Sequence, residues 1–119
     1  MATQDDLRGI ALALPGVVES TTDSGQTAFS IPVRGKHRGL CWTWLERVHP
    51  RKGRVPNPEC WAIRVASVAM KERIHAEHPA DWFVTDPHYE GYPAVVVRLA
   101  SVDDAVLRGW IEDAWVVVG

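Results

Sequence analysis

The chain has 119 residues, 46% hydrophobic and 24% charged, with a formal net charge of -2, which suits one domain with its own hydrophobic core. That net charge argues against a protein dominated by phosphate binding; no apolar run approaches the roughly 20 residues of a membrane span, and Met1-Ala-Thr-Gln-Asp-Asp6 lacks the features of a secretory signal. The two cysteines, Cys41 and Cys60, fit neither a disulfide scaffold nor a zinc site and read as buried thiols of a cytoplasmic protein.

In chain order, Thr3 and Asp6 form a capping-box pattern, and Leu7, Ile10, Ala11 and Leu14 follow helical spacing until Pro15-Gly16 stops the run. Residues 17–25 are polar and turn-rich and read as a connection. Residues 26–33 place Phe29, Ile31 and Val33 on one side at period two, a strand in which Pro32 belongs at an edge or an end because it cannot donate to a ladder. Arg34-Gly-Lys36 is a hairpin turn. It leads to a second strand over 39–45, with Leu40, Trp42 and Trp44 on one face and Cys41, Thr43 and Leu45 on the other. Residues 46–58 hold three prolines and read as a long connection, a functional wing or a mobile insertion. A third strand over 59–65 alternates Trp61, Ile63 and Val65 against Cys60, Ala62 and Arg64.

Ser67 is a good N-cap for a helix over 68–76, which His78-Pro79 ends. A short helical turn over 79–83 precedes a fourth strand near 83–86, and a fifth runs over 94–99. Ser101 and Asp104 resemble a second capping box. The final helix shows one face at Val106/Leu107, Trp110/Ile111, Ala114 and Val118. The fold class that follows is α+β, a two-layer, five-stranded antiparallel sheet with helices on one face, in the order α-β-β-β-α-β-β-α, as a single domain over 1–119. Both faces of strands 40–45 and 94–99 are largely apolar, so the face without helices needs loops or a second copy, a homodimer, to cover it.

The densest stretch is Thr85-Asp-Pro-His-Tyr-Glu-Gly-Tyr-Pro93. Asp86-Pro87 favours a turn, and Gly91-Tyr-Pro93 makes a second break, which suggests two short extended segments folded back with His88, Tyr89 and Tyr92 near the bend. Asp86, His88 and Glu90 alternate as metal ligands could, but a turn-prone segment rarely holds such alternation and no fourth ligand is evident. Local backbone bonding by Asp86 and packing of His88 and the tyrosines fit the pattern better. No Gly-x-Ser-x-Gly, Walker loop, dinucleotide fingerprint or His-Glu-x-x-His occurs, so no catalytic residues, metal or cofactor are expected.

Charge is segregated. Arg34, Lys36, Arg38, Arg47, Arg51, Lys52 and Arg54 face a single acid, Glu46, in the same window, which therefore carries +6 and leaves -8 for the rest. These seven are the candidate nucleic-acid-binding residues, with His49 or Trp44 to stack or wedge; binding would be non-specific and salt-sensitive. Two other readings stand beside DNA binding. One is a module for a protein partner or for self-association, the other a small-ligand domain with a cleft between sheet and final helix lined by Trp42, Trp44 and Tyr92.

Residues 79–99, with Asp113-Ala-Trp115 in the helix that follows, resemble the MmcQ/YjbR family, most specifically through Pro87, His88, Tyr89, Gly91, Tyr92 and Pro93. Leu14-Pro-Gly-Val-Val-Glu-Ser20, and Ala28-Phe29 before Arg34-Gly-Lys36, are similar to that family's opening pattern. The resemblance covers about residues 7–116 and departs from the family in the basic connection over 46–58. It implies a two-layer, double-wing fold and a DNA-binding label that rests on fold analogy, with no shared catalytic set.

Overall fold

The computed structural model of the chain describes residues 1–47 and 53–119. Among the described residues, five strands form one antiparallel sheet in chain order: β1 (Val18–Thr21), β2 (Thr27–Val33), β3 (Lys36–Glu46), β4 (Val55–Arg64) and β5 (Ala94–Arg98). Three α-helices accompany it: α1 (Gln4–Leu12), α2 (Val68–Glu77) and α3 (Asp104–Val118). This is the α+β architecture expected from the sequence.

Period-two alternation divides the sheet into two unlike faces. Phe29, Cys41, Trp61, Ile63, Val95 and Val97 face α1 and α3 and form the main core with Leu7, Ile10, Leu107, Ile111, Ala114 and Val118. Phe29 stacks on Trp61 with centroids 5.7 Å apart, an aromatic pair of the kind that adds about 1 kcal/mol to burial alone. The opposite face carries Cys60, Ala62 and Val96, flanked by Trp42 and Trp44, and is covered by Val84 and Tyr89. A loop segment therefore covers the face that lacks helices. It is held to the β5 edge by Val84 N donating to Val96 O. α2 sits at this edge, with Ile74 in the main core and Lys71 Nζ donating to the carbonyls of Tyr89 and Tyr92.

β3 is the longest strand, and it outruns its neighbours at both ends. β1 stops pairing with β2 at Val18↔Ser30, and β4 stops pairing with β3 at Ile63↔Cys41, so the paired residues 31–38 project as a two-stranded ribbon. Val33 and Lys36 flank the two-residue turn as a bonded pair, which directs the nitrogen of Pro32 outward, where β1 has already ended. The proline thus interrupts no ladder. At the other end, Trp44–Glu46 pair with Val55–Asn57 as a second ribbon.

Several local expectations hold. Thr3 and Asp6 make both bonds of the capping box, Ser67 Oγ accepts from Met70 N, and α3 buries the expected stripe. Others are corrected. Part of the expected connection is β1, an edge strand exposed at all four residues. β4 begins at Val55, so the connection after β3 is shorter than 46–58. Residues 83–86 contribute one bridge, Phe83↔Val97, because Asp86 accepts from His88 N and turns the chain into the 3-10 turn Pro87–Tyr89. Ser101 lies in another 3-10 turn, and the residue preceding α3 is Asp103, which makes no side-chain cap.

Candidate functional site

The first ribbon ends in the two-residue turn Arg34-Gly35, with φ of 52° and 80°. Two positive φ values in a two-residue hairpin define the type I′ geometry that matches strand twist and favours Asn-Gly or Gly-Gly. Arginine at the first position is therefore strained by about 1 kcal/mol. Lys36 and Arg38 follow on β3, paired with Val33 and Ile31. All three cations are exposed, and among the described residues none makes an ion pair. They stand beside the end of α3, around a recess lined by Val33, His37, Val117 and Val118. Helix carbonyls at that end carry negative partial charge, which suits cations nearby.

The remaining candidates lie elsewhere. Arg47 and Arg54 flank the open end of the second ribbon, one residue beyond β3 and one before β4, about 33 Å or more along β3 from Lys36; Arg51, Lys52 and His49 fall outside the described residues. The seven basic positions are thus not one cluster. Arg54 is engaged inside the protein: its Nη1 donates to Asp86 Oδ2 at 2.8 Å and to Leu45 O at 3.0 Å. Asp86 also accepts from Trp44 Nε1 at 2.9 Å and from His88 N at 2.9 Å, and its side chain is only 5% exposed. Burial alone would push this carboxyl up. The bonds from Trp44, Arg54 and the His88 amide, with the charge of Arg54, outweigh it and bring the pKa down to about 2. Asp86 therefore ties the motif to the second ribbon, and Trp44, expected as a stacking residue, is held by it.

In the motif, Pro87 opens the 3-10 turn, Gly91 takes φ of 75° as only glycine does at little cost, and Pro93 delivers the chain to β5. His88, Tyr89 and Tyr92 surround Trp42 in a cleft of about 260 Å³. Tyr89 OH accepts from Trp42 Nε1 at 2.9 Å, and burial pushes the Tyr89 hydroxyl up. Trp42 meets Tyr92 edge-on at 6.3 Å. Arg64 Cζ lies 5.6 Å from the Trp42 centroid, steered there by its Nε bond to Gly39 O at 2.6 Å. The cleft expected between the sheet and the final helix is corrected: Trp42 and Trp44 face away from α3, whose core lies across the sheet. Arg64 escaped the sequence reading because it stands 22 residues along the chain from Trp42, on another strand of the same face.

A groove of about 530 Å³ separates α2 from α3, with Met70, Ile74, Trp110, Val116 and Val117 along it and Arg73 and Glu77 at its rim. Among the described residues, no three His, Cys, Asp or Glu side chains gather as metal ligands, and no helix is long and apolar enough to cross a membrane.

No protein-family model matches the chain. It is 30% identical over 122 residues to the protein Rv2570 of Mycobacterium tuberculosis (strain ATCC 25618 / H37Rv), with 98% of this chain and 88% of the relative covered. MT2646 of strain CDC 1551 / Oshkosh and Mb2600 of Mycobacterium bovis match at the same identity and coverage. Among solved structures, the crystal structure of Deinococcus radiodurans protein DR2400, with the family-model domain DUF419, is similar at a TM-score of 0.73 and 22% identity. That likeness covers 99% of this chain and 79% of the other, and it shows a shared fold. With nearly its whole length aligned to the mycobacterial sequences, the chain belongs to the family of Rv2570.

Proposed function

We propose that the protein is a non-enzymatic domain of the MmcQ/YjbR type that binds DNA without sequence preference, through phosphate contacts from its first ribbon. Arg34, Lys36 and Arg38 supply the contacts. The observation that supports this most directly is the turn itself: an arginine occupies a left-handed position where asparagine or glycine is cheaper. Two more exposed cations follow within four residues. Strain retained at an exposed charged residue points to use of that residue, and a projecting ribbon presents it to a polyanion despite the acidic remainder.

Fluorescence anisotropy with labelled DNA at low and moderate salt tests the reading. Affinity in the micromolar range at low salt, weakening steeply as salt rises, is expected of about three phosphate contacts. Absence of binding at tens of micromolar protein in low salt removes the proposal.

A second reading rests on the α2–α3 groove, whose volume of about 530 Å³ lies within the range of small-ligand sites. Met70, Val116 and Val117, which line it, are all exposed, a contiguous apolar patch of the kind that marks binding sites. A melting-temperature screen with apolar small molecules separates the two readings, since a ligand in the groove stabilises the fold without competing with DNA.

A further inference from the structure

We infer that the cleft formed by Trp42, His88, Tyr89 and Tyr92 holds one unpaired nucleobase, so that the preferred partner is single-stranded rather than duplex DNA. This deepens the DNA-binding reading and rests on it. Among the described residues the cleft is lined by these four aromatic side chains. Their contacts are edge-on: 80° between Trp42 and Tyr92, 87° between Tyr89 and Tyr92, and 80° between His88 and Tyr89. No ring of the four is stacked flat on another, which leaves a planar guest room to stack.

The inner walls are fixed in advance. Trp42 and Tyr89 are joined by a hydrogen bond, and the 3-10 turn beneath Tyr89 is clasped by Lys71. Tyr92, 40% exposed, and His88, also exposed, form the outer walls. Mutually perpendicular rings also suit an organic cation, but the Arg64 guanidinium already lies 5.6 Å from the Trp42 centroid and repels a second positive charge. A neutral ring that carries its own phosphate is attracted instead. Only Nε of Arg64 is bonded among the described residues, so its terminal nitrogens remain for that phosphate.

The cleft and the first ribbon's cations lie on opposite faces of the sheet: Arg38 pairs with Ile31, which packs on the main core, and a bulge at Leu40 leaves Trp42 on the other side. The Arg64 guanidinium therefore supplies the cleft's own phosphate contact, which with a stacked base makes up the usual equipment for single strands. In a duplex the bases are already stacked on one another and cannot enter.

The test compares labelled oligothymidylate of about 20 nucleotides with a duplex of the same length, by anisotropy at low salt. The intact protein should bind the single strand about tenfold more tightly. Tyr92→Ala should remove that advantage and leave duplex affinity unchanged, while Tyr92→Phe, which keeps the ring, should retain it. Equal affinity for both DNAs, or a preference that survives Tyr92→Ala, overturns the inference and leaves the ribbon reading standing. Failure to bind either DNA overturns both.

Discussion

Replacing Asp86 with asparagine keeps the side chain's shape and removes its charge. The carboxylate receives an indole N–H, a guanidinium N–H and a backbone amide. Its pKa falls from the ordinary value of about 3.9 to about 2, equivalent to roughly 2.5 kcal/mol of stabilisation at neutral pH. An amide oxygen in the place of Oδ2 can still accept from Trp44 and Arg54, though without charge, while its NH2 then meets the His88 N–H donor. Arg54 retains Leu45 O and partial access to water, so the expected loss is about 2 kcal/mol. Because the folded-state pKa lies below that of the unfolded chain, this contribution is complete above about pH 4 and is lost as the pH falls towards 2. Urea unfolding followed by tryptophan fluorescence, for parent and Asp86→Asn across this range, should show a constant gap from pH 7 to about 5 that closes at lower pH. The double variant Arg54→Met/Asp86→Asn should lose less than the two single variants summed. A gap at pH 7 below about 0.5 kcal/mol, the level of an ordinary surface change, would refute the reasoning. So would a gap that does not narrow in acid.

Arg34→Asn should separate stability from binding: relief of the left-handed arginine raises stability by about 0.5–1 kcal/mol, while DNA affinity falls. A variant that loses stability contradicts the strain assigned to the turn. Gly39→Ala places a Cβ 3.0 Å from Trp42 Cε3 and 3.2 Å from Cζ3, against a ring pinned by Tyr89. A loss of about 1 kcal/mol in chemical denaturation is expected, and an unchanged midpoint would show that the ring is free to yield. Cys41 is fully buried, and burial pushes its thiol far above the range of reactive cysteines. Cys60 is also pushed up by burial. Neither should react with a thiol reagent at pH 8 on the timescale on which urea-unfolded protein reacts; rapid labelling of the native protein would contradict the packing of both.

The sequence carried the elements whose signals are local. The capping bonds of Thr3, Asp6 and Ser67 span three residues each, and the α3 stripe repeats every three or four. Four of the strands showed as runs of alternating or continuous apolar residues. β1 left no such trace because all four of its residues face water, and only its pairing with β2 makes it a strand. The second ribbon was hidden by Pro56 and Pro58, which read as loop although Leu45↔Pro56 is a sheet pair. Least legible was Asp86, whose partners Trp44 and Arg54 lie 42 and 32 residues away. No pattern along the chain distinguishes an arginine bound to that carboxylate from one exposed to solvent. Clustering by sequence window accordingly joined Arg34 and Arg54, which β3 holds at opposite ends.

The central claim, that the first ribbon meets phosphate, is tested most directly by the salt dependence of DNA affinity. The measurement compares the parent with the triple variant Arg34→Gln/Lys36→Gln/Arg38→Gln. If these three cations each release a counterion, the slope of log affinity against log salt should become shallower by about 2–3. An unchanged slope in a triple variant that still binds would place the phosphate contacts elsewhere on the protein.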